Sequence, residues 1–147
     1  MEPLFQHLLV PTDGSEPSLQ AVHMGLRVTM ICPTCTMTLL YVIDKLVLAE
    51  LVRFSKRSEK DVEAELEEQG HRYLELARNQ AERQGVSVEC QIRRGDPFEE
   101  IIAAAKNLRV DLIIMGHTGR RGTTRVLIGS VTQRVLDYAP CPVLVMK

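Results

Sequence analysis

Two rhythms of apolar residues alternate along this chain. Short, nearly unbroken apolar runs occupy residues 5–11, 36–43, 111–115 and 143–146. Between them, apolar positions recur every three or four residues, the spacing of one face of a helix. The run at 5–11 ends at Pro11 and reads as a buried strand. Thr12, Asp13, Gly14 and Ser15 follow as a turn, with Ser15 placed to cap a helix that continues to about Met30. Leu19, Val22, Leu26 and Met30 mark the expected buried face of that helix. Cys32, Pro33 and Thr34 break it, and residues 36–43 form a second buried strand. Residues 44–56 admit two readings, a short helix or a covering loop. Residues 58–83 are plainly helical, with Val62, Leu66, Tyr73, Leu76 and Ala77 inward and Glu63, Glu65, Glu67 and Glu68 in solvent.

Gly85 ends this helix, and residues 87–93 alternate as a third strand. Asp96 followed by Pro97 is a helix start, an N-cap and then a proline at the first helical position. Phe98, Ile101, Ile102, Ala105 and Leu108 give that helix its inner face. Residues 111–115 make a fourth strand, residues 130–139 a last helix with Val131, Val135 and Tyr138 in register, and residues 143–146 a fifth strand. Strand and helix therefore alternate throughout. Strands apolar on both faces are covered on both faces, which makes the sheet mostly parallel and the fold class α/β, doubly wound.

In such a sheet ligands bind beyond the carboxyl ends of the strands, where the strand order reverses. Two carboxyl-end segments are more polar or glycine-rich than a turn requires. One is the turn at residues 11–15, the other the stretch from Gly116 to Ser130. They face each other if strands 1 and 4 are neighbours, which requires the order 3-2-1-4-5. Glycines let backbone N–H groups approach an anion closely, and the helix opening at Gly129 and Ser130 aims its free N–H groups at the same place. Ser130 and Thr132 add hydroxyls, while Arg120, Arg121 and Arg125 add positive charge. These are the parts of a phosphate cradle. The motif is neither a P-loop, since GxxxxGK[ST] is absent, nor a dinucleotide GxGxxG.

The spacing of Gly116, Gly119, Gly129 and Ser130 fits G-x2-G-x9-G-[S/T]. With the start at residues 7–15, Gly95-Asp96-Pro97, residues 111–116 and the ending at 139–145, the whole chain resembles the universal stress protein family, in its ATP-binding branch. The resemblance implies one domain over residues 1–147: a three-layer, five-stranded parallel sheet of order 3-2-1-4-5, adenine nucleotide alpha hydrolase-like. It implies that Asp13 holds the ribose or adenosine moiety, that Pro11 and Thr12 line the pocket, and that Val42 meets adenine through its backbone. Gly116, Gly119, Gly129, Ser130, Val131 and Thr132 would surround ribose and phosphates, flanked by Met115 and His117. At least one of Arg120, Arg121 and Arg125 is expected to reach phosphate. The ligand would be ATP, AMP or ADP, with Mg²⁺ or Mn²⁺ held by the phosphates rather than by a protein carboxylate cluster. A homodimer through Val143 to Met146 is implied as well, and an uncovered apolar edge strand would otherwise invite aggregation.

Composition narrows the rest. The 147 residues carry 18 basic and 19 acidic side chains, a near-balance unlike that of a nucleic-acid-binding domain. No apolar run approaches the length of a membrane span, and the N-terminus lacks the pattern of a signal peptide, so a cytoplasmic location is expected. Cys32 and Cys35 are spaced as CxxC, but they follow a helix end, whereas redox pairs usually open a helix. A zinc site would need two further ligands. Cys90 and Cys141 read as structural, and His7, His23 and His71 as bystanders. Three functions remain in order. The first is a nucleotide-binding regulator of stress physiology. The second is a slow ATPase or autophosphorylating enzyme, for which Asp13 and His117 are the nearby bases. The third is a thiol-redox protein.

Overall fold

A computed structural model describes residues 2–119 and 127–147. Five parallel strands form one sheet: β1 (His7–Pro11), β2 (Thr36–Asp44), β3 (Val88–Gly95), β4 (Leu112–Gly116) and β5 (Val143–Met146). Their order is β3-β2-β1-β4-β5, as the loop argument required. The helices are α1 (Glu16–Ile31), α2 (Lys45–Ser55), α3 (Glu59–Arg83), α4 (Pro97–Asn107) and α5 (Ser130–Tyr138). Residues 44–56 are thus resolved in favour of a helix, with the Asp44 carboxylate accepting the Leu46 N–H.

Side chains along each central strand alternate between two cores. Leu8, Val10, Met37, Leu39, Tyr41, Leu112 and Ile114 pack with α1 and α3. Leu9, Leu40, Ile113 and Met115 pack with α4 and α5. Both faces of the sheet are therefore dry, which is why these strands carry no polar alternation.

The helix faces need correction. Leu19 is 38% and Met30 57% exposed, while α1 buries Ser18, Ala21, Val22, Gly25, Leu26 and Thr29. The inner face is made of small residues because the helix lies close on the sheet. A Cβ at Gly25 would come within 2.6 Å of Met37 Sδ and 3.1 Å of Val10 Cγ2. In α3 the register shifts within an expected inner face that keeps Val62 and Ala77. Leu76 is 69% exposed and Leu74 takes the inward place, while Gly70 lies under the ring of Tyr41. In α5, Tyr138 points outward and packs edge-on against Phe98.

Asp111 also differs from expectation. It precedes β4, and its carboxylate accepts the N–H groups of Gln6 (2.7 Å) and His7 (3.0 Å), pinning the start of β1 to the start of β4. Hydrogen bonds to a charged acceptor contribute about 1.5–3 kcal/mol. Asp111→Ala is expected to destabilise by about 2 kcal/mol, read as a lower urea midpoint at unchanged slope.

Candidate functional site

The crevice lies at the carboxyl ends of β1 and β4, where the chain reverses its direction across the sheet. β1 pairs with β2 up to Pro11–Leu40, and the Thr12 N–H extends the ladder to Leu40 O at 2.8 Å. The turn that follows is fixed by its own side chains. Asp13 Oδ1 accepts the Ser15 N–H at 2.9 Å, and Ser15 Oγ accepts the Ser18 N–H to cap α1. Thr12 Oγ1 meets Ser18 Oγ at 3.0 Å. Gly14 has φ +81°, and the ring of Tyr73 lies so close that a Cβ there would run into it. The turn is thus pressed from above by α3.

On the other side, the three glycines of the motif have distinct surroundings. A Cβ at Gly116 would lie 2.7 Å from Pro17 Cβ, 2.8 Å from the Pro17 carbonyl carbon and 2.9 Å from Ser18 N. Gly116 is therefore the point where the β4 end touches the first turn of α1. At Gly119 the obstacle is the Asp13 carboxylate. A Cβ at Gly129 would meet Thr118 Cα at 3.2 Å and Thr118 Oγ1 at 3.3 Å. Together these contacts show that the two segments named from sequence do meet, with Gly119 resting against Asp13.

The floor of the loop is tied down in three places. Gly129 N–H donates to His117 O at 2.6 Å, and the buried Thr132 hydroxyl donates to Gly116 O at 2.8 Å. The His117 N–H and its ring Nδ1 both donate to Met146 O, at 2.7 and 3.1 Å, which joins the loop to β5. His117 is therefore a strut as well as a crevice residue. α1, α2, α3 and α4 begin with a side-chain cap, from Ser15, Asp44, Ser58 and Asp96. α5 begins at Gly129, at the carboxyl end of the sheet, with no side-chain cap among the described residues. A further donor was not singled out from sequence. Thr118 Oγ1 is buried and has no hydrogen-bond partner among the described residues. A threonine inside the variable part of the motif gives no signal by spacing alone.

The remaining sequence candidates fall as follows. Pro11 and Thr12 are buried at the crevice floor, and Ser130 and Val131 open α5. Val42 lies near the carboxyl end of β2, just past the level of Pro11. The Met115 side chain is in the core beneath α4 and α5. Arg120, Arg121, Gly122 and Arg125 lie outside the described residues. Tyr73, Pro17 and Ser18 are additions. Sequence periodicity placed Tyr73 only in a core, and nothing along the chain tells which core ring reaches a turn sixty residues away.

Fold and crevice together define a doubly wound α/β protein with a glycine-walled site at its switch point. The chain belongs to the universal stress protein family, whose model matches residues 4–147. It is 34% identical over 147 residues to universal stress protein MJ0531 of Methanocaldococcus jannaschii, covering 99% of this chain and 84% of that protein. The solved structure of MJ0577, from the same organism, is similar with a TM-score of 0.85 and 31% identity over 98% of this chain and 96% of that one. The fold is also that of a universal stress protein family protein from Arabidopsis thaliana with AMP bound, at a TM-score of 0.62 and 22% identity, covering 97% and 91% of the two chains. Among the described residues no helix is long and apolar enough to cross a membrane.

Proposed function

We propose that this chain binds ATP in the crevice between the Asp13 turn and the Gly116 loop and acts as a nucleotide-linked regulator in stress physiology. The observation that carries the proposal is the contact of Gly119 with the Asp13 carboxylate. It brings a carboxylate suited to ribose hydroxyls beside a glycine, whose backbone carries no side chain of its own. Three further features support the reading: the N-terminus of α5 and the buried Thr118 hydroxyl, neither with a side-chain partner among the described residues, and the AMP carried by the Arabidopsis protein. Asp13 holds the ribose, with Pro11, Thr12 and the Val42 backbone at the base. Gly116, Gly119, Gly129, Ser130 and Val131 surround ribose and phosphates, with His117 at the flank, while Met115 and Thr132, expected from sequence to touch the nucleotide, instead support the loop from the core and through Gly116 O. Mg²⁺ or Mn²⁺ enters on the phosphates. Among the described residues no group of three or more His, Cys, Asp or Glu is placed to hold a metal.

The regulator works as a homodimer in the cytoplasm, paired along β5, whose Leu144 side chain is exposed. Because Met146 O holds His117, the dimer edge and the nucleotide loop share a hydrogen bond. Calorimetry with Mg-ATP, Mg-ADP and AMP tests the proposal. Binding in the micromolar range, about −8 kcal/mol, is expected for at least ATP. Absence of heat at millimolar ATP removes it. Single-turnover hydrolysis, followed with the ATP complex, separates a binder from the slow ATPase.

A further inference from the structure

The CxxC pair has a geometry that its spacing alone does not reveal. Residues 32–35 form a hydrogen-bonded turn in which the Cys35 N–H donates to Cys32 O at 2.9 Å. Pro33 occupies the second position of the turn, where its fixed φ favours closure. Such a turn holds its end Cα atoms within about 7 Å, and a disulfide needs about 4.4–6.8 Å. The backbone is thus already near ring-closing distance. Exposure is unequal, since Cys32 is part-exposed and Cys35 is buried. Their sulfurs make weak contacts, Cys32 Sγ to Phe5 O at 3.4 Å and to Thr34 Oγ1 at 4.0 Å, and Cys35 Sγ to Thr36 O at 3.7 Å.

The other thiols have no such neighbour. Cys141 packs with the core on the opposite face of the sheet from Cys35. Cys90 pairs with Leu39 on the adjacent strand, four positions past Cys35 and so roughly 13 Å along it.

We propose that Cys32 and Cys35 are a reversible dithiol–disulfide site, in which Cys32 is the entry thiol and Cys35 the resolving thiol, oxidised by exchange with a low-molecular-weight disulfide. The Cys32 thiolate attacks one sulfur of the oxidant, breaks its S–S bond and releases one thiolate. The Cys35 thiolate then attacks Cys32 Sγ, displaces the second thiolate and closes the protein disulfide. Two protein thiols are oxidised, one external disulfide is reduced to two thiols, and the protons of Cys32 and Cys35 end on the released thiols.

The pair is not built for fast turnover. Cys32 caps the C-terminus of α1, the negative end of the helix dipole, whereas fast redox thiols sit at the positive end. Burial, with the Cys32 thiol beside it, pushes Cys35 up to about 11. Closure is therefore the slow step at neutral pH, and its rate should rise about tenfold per pH unit as thiolate accumulates between pH 7 and 9.

The test uses the full chain in native buffer with glutathione disulfide, quenched in acid and digested with trypsin without reduction. Cleavage after Arg27 and Lys45 places Cys32 and Cys35 together in one peptide, without Cys90 or Cys141. That peptide should lose two hydrogens while the Cys90 and Cys141 peptides stay as free thiols. Cys35→Ser should instead trap a lasting glutathione adduct on Cys32. Cys32→Ser should leave Cys35 at least tenfold less reactive. Adducts forming at Cys90 or Cys141 as fast as at Cys32 would overturn the proposal. So would a wild-type pair that closes in guanidinium but not in the native chain.

Discussion

Gly116→Val is expected to remove nucleotide binding and to lower the melting temperature by about 10 °C, from a destabilisation of about 3 kcal/mol. The reason is what surrounds the added carbon. Its nearest neighbours include the backbone of Pro17 and Ser18, at 2.8 and 2.9 Å, and backbone in the first turn of a helix cannot swing aside like the end of a lysine. α1 would have to lift from the β4 end, and α1 carries the Ser18 hydroxyl that meets Thr12. One substitution thus strains the core and opens the Asp13 turn together. Thermal melting monitored by circular dichroism, paired with calorimetry, measures both effects. A variant that melts like the wild type and still binds ATP would show that this contact is not needed. Gly129→Ala is the internal contrast. Its closest neighbours stand at 3.2 and 3.3 Å and need give only a few tenths of an ångström, so its loss of stability should be under about 1 kcal/mol.

Gly119→Val should weaken ATP binding about a hundredfold, or about 2.7 kcal/mol, with little change in melting temperature. Gly119 is exposed, so nothing in the core pays attention to its side chain, but the new carbon would occupy the position of the Asp13 carboxylate. The effect on affinity should therefore pass through Asp13. A double-mutant cycle reads this directly. If Asp13→Ala alone weakens binding to a similar degree, adding Gly119→Val to it should cost little more. Fully additive losses would mean that Gly119 acts on the nucleotide by another route. The two glycines belong to one motif, yet Gly116 answers to helix packing and Gly119 to a carboxylate.

Much of this architecture was legible from sequence because the strands are buried on both faces. Runs such as residues 36–43 have no polar face to confuse, and Asp96-Pro97 marks a helix start chemically rather than statistically. The order β3-β2-β1-β4-β5, which the family resemblance implied, is the one that sets the two unusual loops face to face. On α1, Val22 and Leu26 are buried as expected, but the edges of the expected face are not. Hydrophobicity singles out Leu19 and Met30, whereas close packing selects Ser18, Gly25 and Thr29, and small residues carry no hydrophobic signal. Leu76 misled differently, because two leucines two positions apart compete for one inward place and Leu74 holds it. In the site, glycine spacing located the loop. It did not reveal that Tyr73 presses on Gly14 or that the Thr118 hydroxyl is buried without a partner among the described residues, since both depend on elements brought together only by folding.

The pairing of β1 has a consequence for how the molecule is made. Its second neighbour is β4, and the Asp111 carboxylate that ties their starts bonds to Gln6 at a separation of 105 residues. During synthesis, the central strand must wait with one edge bare until roughly three-quarters of the chain has emerged. Contacts so distant along the chain slow folding, because the intervening loop must close before any contact rewards it. The Gly116–Pro17 and Gly119–Asp13 contacts span the same gap. The crevice is accordingly among the last parts of the protein to exist, and a chain released early would carry a sheet half and no site.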